Sequence, residues 1–161
     1  MKLRLLTLPL VATTLLLSTL GCADEEPGPA PNTGSYQLDT IPLSGQAKAT
    51  LSGGSIGGTT YDFLELDIFP VSQGTERVAR LNLLFYKAPG SPASTYLLNN
   101  LSVYTKGNTA PYNFASTGFT LKAASDGSFS GTFSGSVNAA SSMIPGPYIT
   151  ITNGVFTAVH P

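Results

Sequence analysis

Few residues in this chain could do chemistry, and they fall into small groups. Gly53-Gly54-Ser55-Ile56-Gly57 matches the Gly-x-Ser-x-Gly pattern, in which a sharp turn exposes a serine hydroxyl as a nucleophile. An acid and then His160 follow in the chain order of a hydrolase triad. That elbow requires a strand, a turn and then a helix. No helical period follows Ser55, and His160 is the penultimate residue, so the pattern reads as a flexible Gly/Ser loop (residues 53–58) and a terminal histidine. Asp62, Glu65 and Asp67 are the acid cluster of the domain. Glu65 and Asp67 share one face of a strand, about 7 Å apart by strand rise. A carboxylate pair can serve acid–base glycoside chemistry, but Arg80 is expected across from them, which favours an ion pair. With one His, one Cys and no spaced Asp/Glu loop, the zinc and EF-hand patterns are absent from the sequence. The expectation is no catalytic centre, no metal and no cofactor, and so not an enzyme.

The remaining reactive group is the single cysteine, Cys22. Lys2 and Arg4 precede an uncharged, largely apolar run over residues 5–20. That run is shorter than the roughly 20 residues a membrane-spanning helix needs, and it has the layout of a signal peptide. Thr19-Leu20-Gly21-Cys22 resembles a lipobox, the site of cleavage before a lipid-modified cysteine, with Thr19 in place of the usual Leu. The resemblance implies a diacyl or triacyl cysteine, which anchors firmly where a single acyl chain is marginal. Ala23-Asp24-Glu25-Glu26 and the Pro/Gly-rich residues behind it form a tether. Ala rather than Asp after the cysteine implies the outer membrane by the usual sorting rule. The acidic run suits either a surface-export signal or a solvated spacer. The chain therefore divides into a signal peptide (1–21), an acylated cysteine with its tether (22–34) and one domain (35–161).

That domain must position whatever function there is, and its patterning is β. Residues 61–69 alternate, with Leu64, Leu66 and Ile68 on one face and Phe63, Glu65, Asp67 and Phe69 on the other. Residues 78–86 alternate likewise, with Ala79, Leu81, Leu83 and Phe85 on one face, and a loop holding Pro70 and Gly74 joins the two into a hairpin. A slip of one residue would turn the whole apolar set outward, so Leu81 is expected opposite Leu66 or Leu64. Either choice sets Arg80 opposite Asp67 or Glu65. Residues 114–124 and 128–137 predict a second hairpin, with Phe119, Leu121 and Ala123 on the core face beside Phe129 and Phe133. Pairing of odd with odd positions selects a three-residue loop, Ser125-Asp126-Gly127, with Gly127 left-handed. In residues 148–159, Asn153-Gly154 is either a tight turn or a bulge, and Ile149, Ile151 and Phe156 share a face either way. Weaker strands are expected over 46–51, 95–98 and 101–105. The fold class is all-β: a single antiparallel β-sandwich or a lipocalin-like barrel of about eight strands.

Behind the tether the domain carries six basic and six acidic residues, without the basic stripe that nucleic-acid binding needs. Tyr61, Phe63, Phe69 and Tyr86 fall opposite the Leu/Ile core face. They form either a covered second face or a surface for a glycan, peptide or envelope-protein partner.

Ser116-Thr117-Gly118-Phe119-Thr120-Leu121, Ser130-Gly131-Thr132-Phe133-Ser134-Gly135 and Ile149-Thr150-Ile151-Thr152-Asn153-Gly154-Val155-Phe156 resemble the C-terminal half of small Bacteroidota-type outer-membrane lipoproteins. The lipobox and Ser94-Thr95-Tyr96-Leu97 fit the same family. The resemblance implies an all-β domain behind a lipobox, with Asn-Gly inside a strand, and it implies no activity. The expected role is a non-enzymatic binding or structural module of the cell envelope. The alternatives are a lipocalin-like carrier of a small apolar ligand, which would need an apolar lumen, and a hydrolase, which would need a cleft with converging polar groups.

Overall fold

The computed structural model describes residues 30–71, 78–107, 110–137 and 148–161. The expected signal peptide, Cys22, most of the expected tether and Gly74 of the first hairpin loop lie outside the described residues. Eight strands follow one another: β1 (Thr33–Leu38), β2 (Ile41–Ile56), β3 (Thr59–Pro70), β4 (Val78–Lys87), β5 (Leu97–Thr105), β6 (Tyr112–Ala123), β7 (Phe129–Ser136) and β8 (Thr150–Val159). Each pairs antiparallel with the next, and β8 pairs with β1, so the sheet closes into an up-and-down barrel. The architecture is the barrel rather than the sandwich. The sole helical piece among the described residues is a 3-10 turn, Ala93–Thr95.

Alternation decides which way each side chain points. Leu64, Leu66 and Ile68 of β3 and Leu81, Leu83 and Phe85 of β4 are completely buried. They join Tyr36 and Leu38 from β1, Leu101 and Val103 from β5, and Ile151 and Phe156 from β8 in one continuous core. Each such aliphatic or aromatic side chain contributes roughly 1.5–3 kcal/mol when withdrawn from water. The inward-pointing apolar side chains of these strands are thus spent on filling the barrel.

The β3–β4 faces match as expected for Leu81, Leu83 and Phe85, but a bulge at Ala79 turns Val78 into the core in its place, and the register differs by two residues or more. Leu66 lies opposite Leu83 and Ile68 opposite Leu81, which places Asn82, not Arg80, across from Asp67. Residues 53–56 are not loop. They continue β2 in ladder with β3, and only Gly57 and Gly58 turn, both at positive φ. Thr95 belongs to the 3-10 turn, and the two weak strands expected near it are the single strand β5. The first strand, which the sequence did not signal, begins at Thr33, inside the expected tether.

The β6–β7 hairpin pairs odd with odd: Phe119 with Phe133 and Ala123 with Phe129. Ala124 and Ser128 close a three-residue loop in which Gly127 has φ +84°, as the pairing rule required. Phe119 does not reach the deep core. It stays 37% exposed while its ring lies 5.8 Å from that of Phe85, and Ala123 is exposed. The cause is the short β5–β6 ladder, only Leu101 with Phe114, Ser102 with Asn113 and Val103 with Tyr112. Beyond it, among the described residues, β6 is paired only with β7.

Asn153-Gly154 is a bulge within β8. The register against both neighbours shifts there, and Asn153 takes φ +53°. Ile151 and Phe156 face inward, but Ile149 precedes the strand and is exposed, contrary to the shared face expected for all three. Gly131 has no room for a side chain, because a Cβ there would lie 2.0 Å from the Thr120 carbonyl oxygen and 2.7 Å from the Phe156 ring. Gly131→Ala should therefore destabilise the barrel by roughly 2–3 kcal/mol through forced overpacking, read as a fall in the urea midpoint. An unchanged midpoint would show that this wall is not tightly packed.

Candidate functional site

Strand direction sorts the connections between two ends of the barrel. Ala30, the Gly57-Gly58 turn, residues 88–96, the Ser125–Gly127 loop and His160 share one end, here the near end. The Asp39-Thr40 turn, Val71, Gly107 and Tyr148 share the far end.

Ser55 lies on the β2–β3 ribbon opposite Thr60. The chain turns from it straight into another strand, so the geometry of a nucleophile elbow is not formed. His160 is held by its backbone, whose N–H donates to Asn32 Oδ1.

Glu65 and Asp67 stand on the outer face of β3. The Asn82 amide donates to Glu65 Oε1 and to Asp67 Oδ1, both at 2.8 Å. Arg80 reaches Asp67 diagonally at 3.4 Å and stacks over the Tyr104 ring, 4.2 Å from its centre. The expected Arg80–carboxylate pair is present despite the changed register. Asn82 is the residue sequence reasoning missed: 5% exposed, it takes up both acids at once. Its neighbour across the next ladder, Ser102, is fully buried, accepts from Asn100 and donates to Asn113. The arrangement is a polar belt running across the outer wall from β3 to β6.

Of the four aromatic residues expected to share a face, three come together. Phe63 pairs with Tyr86, and the Tyr61 ring lies 5.3 Å from Tyr86, edge-on, and 6.3 Å from Phe63. Phe63 also lies over Gly54, where a Cβ would be 3.0 Å away. Leu97, opposite Tyr86 and 54% exposed, extends the patch. Phe69 shares the face but not the place. It sits toward the far end, about 20 Å from Phe63 by strand rise, with the acid belt between, and so does not belong to the cluster.

A second feature lies at the near mouth, in a cleft of about 550 Å³ lined by Leu51, Asp62, Lys87, Tyr96 and Phe129 among others. Asp62 shares the inward parity of Leu64, and Lys87 that of Phe85, so both point into the mouth and pair there. Their parity was the available signal. Lys87 also lies 5.4 Å from the centre of the Tyr96 ring. Its hydrogen bond holds the Asp62 carboxyl below the ordinary carboxylate value, helped by the Gly90 N–H. Burial pushes the Tyr96 hydroxyl up. Among the described residues, no three His, Cys, Asp or Glu side chains gather as a metal site. No protein-family model, curated protein or solved structure matches this chain.

Two expectations follow from these carboxylates. Asn82→Ala strands two acids without their common donor and should cost about 1–3 kcal/mol. Arg80→Ala, Glu65→Gln and Asp67→Asn should each cost no more than about 1 kcal/mol, as for half-exposed pairs. Chemical denaturation of the four variants checks the order, and an Asn82→Ala loss no larger than that of Arg80→Ala would refute it.

The second concerns pH. Asp39, Asp62 and Asp126 are all held below the ordinary value of 3.8. For Asp39, desolvation raises the value, but hydrogen bonds from the Ile149 and Thr150 backbones and the Thr150 hydroxyl outweigh it. For Asp126 the Ser128 N–H and hydroxyl are the cause. The unfolded chain takes up these protons first, so the stability they contribute is complete well above pH 3.8 and is lost as pH falls through the folded values. The melting temperature should be level between about pH 5 and 7, fall below about pH 4, and fall less steeply in Asp39→Asn.

Proposed function

We propose that this protein is a cell-envelope lipoprotein: a non-enzymatic binding or structural module, held in the outer membrane through acyl chains on Cys22. The anchoring reading rests on the basic start, the uncharged run over residues 5–20 and Leu20-Gly21-Cys22. It is supported by the resemblance to small Bacteroidota-type outer-membrane lipoproteins. The module reading rests on one observation. The barrel spends its inward apolar side chains on its own core, while Tyr61, Phe63 and Tyr86 cluster on the outside, only partly buried. A face of this kind makes contact with something beyond the barrel.

A lipocalin-like carrier is the second reading, favoured by the closed eight-strand meander and the near-mouth cleft beside Phe129. An apolar fluorescent probe separates the two. The module should show no saturable uptake, and one-to-one binding abolished by filling the mouth with Leu51→Trp would favour the carrier.

Cys22→Ser tests the anchor. The variant should persist as uncleaved precursor or leave the membrane fraction, and normal processing with unchanged partition would overturn it.

A further inference from the structure

The β2–β3 ribbon outruns the rest of the barrel at the near end. β2 keeps its β1 partner only as far as Gln46, and β3 gains its β4 partner only from Asp62. Residues 53–61 therefore project as a two-stranded arm, and they contain no charged residue. The arm carries its apolar groups, Ile56 and Tyr61, on the outward side, and exposed Leu51 lies just below it on the inward side. Leu51 is 51% exposed at its base on the inward side, and Ile56 is 49% exposed near its tip on the outward side. Tyr61, Phe63, Tyr86 and Leu97 continue the outward side where the arm joins the wall. The first outward charges on β3 are Glu65 and Asp67, one and two alternations beyond Phe63, and they open the polar belt already described.

On the outward face, with the Asp62–Lys87 pair turned into the mouth behind it, this order of uncharged tip, then amphipathic rings, then charge is the order in which side chains partition across a membrane–water interface. Tyr rings settle at headgroup depth with the hydroxyl toward water, and charged groups stay outside. The place of the tether supplies the partner. Eight peptide steps separate Cys22 from Ala30, which enters the fold at the same end as the arm. They span at most about 26–29 Å. A ten-residue strand such as β4 tilted by roughly 40° makes the barrel about 25 Å tall. Presenting the far end to the bilayer would stretch the tether almost to its limit, whereas setting the near end down requires no extension. On the opposite wall, Lys122 and Asp126 keep the near end polar, so the barrel leans toward its β3 side.

We infer that the partner of the Tyr61–Phe63–Tyr86 face is the lipid surface that holds the protein's own anchor, with the β2–β3 tip set into the headgroup layer. The inference rests on acylation of Cys22. The chain has no tryptophan, so one introduced indole reports a single site. Acylated full-length protein carrying Ile56→Trp, Leu97→Trp or Val71→Trp is reconstituted into phosphatidylethanolamine–phosphatidylglycerol vesicles with and without brominated acyl chains. All three positions are exposed, and Val71 marks the far end. The expected result is blue-shifted emission and at least threefold stronger bromine quenching for Ile56→Trp than for Val71→Trp, with Leu97→Trp between them. Equal quenching at the two ends, or stronger quenching at Val71, overturns the orientation. So does an unquenched Ile56→Trp whose aromatic face instead captures a glycan or protein. Intact mass on the same samples reads the premise separately: a chain without acyl groups overturns the anchor, and an acylated chain with an unquenched tip overturns only the docking.

Discussion

Thr33 lies opposite Thr157 and Leu38 opposite Ile151, and through those contacts the sheet closes on itself. Closure fixes an inside, and the inside fixes everything else. A residue's parity along its strand then determines whether it joins the core or the wall. The ladder leaves no freedom to tuck a misplaced apolar side chain under another layer, because a single-sheet barrel has none. The bulges are where this constraint is reconciled with curvature. Those at Ala79 in β4, Asn99 in β5, Thr117 in β6 and Asn153-Gly154 in β8 each set an extra residue against the neighbouring strand and bend the strand that carries it.

Parity was legible in the sequence wherever alternation was long. The inward face of β3, that of β4 from Leu81 to Phe85, the odd–odd pairing of β6 with β7 and the left-handed Gly127 all followed from it, whereas the bulge at Ala79 that brings Val78 inward did not. Register was not legible. Leu81, Leu83 and Phe85 are interchangeable as partners for a Leu/Ile row, and a shift of two residues preserves every face. β1 escaped notice for a related reason. Its six residues carry only two large apolar side chains, and its closing partner β8 is more than a hundred positions away. Glycines misled over residues 53–56, where the long β3 template imposes extended backbone on a stretch whose composition suggests a loop.

The candidate sites show the same division. Tyr61, Phe63 and Tyr86 were identifiable from alternation plus one hairpin. Phe69 met the same rule and failed because a face is a line some tens of ångströms long, not a point. The Asp62–Lys87 pair is legible only once the register is known, because core parity alone does not say that these two charges stand opposite each other. Such a pair is tolerated at a barrel mouth because each charge neutralises the other and the rim still admits water to Asp62.

The barrel keeps one vulnerable margin. After its three-pair ladder with β5, β6 runs on with one side of its backbone unpaired among the described residues, a row of amides and carbonyls that could template another strand. Such a margin invites edge-to-edge aggregation between copies. The stretch answers this in its own chemistry. The irregularity around Thr117 breaks the straight run a partner strand would need, Lys122 sets a charge beside it, and its hydroxyls are turned to β7, where Thr117 donates to Ser134 and the hydroxyls of Thr120 and Thr132 share a hydrogen bond. An incompletely sealed seam is tolerated because the exposed edge is crooked, charged and already engaged on its other side.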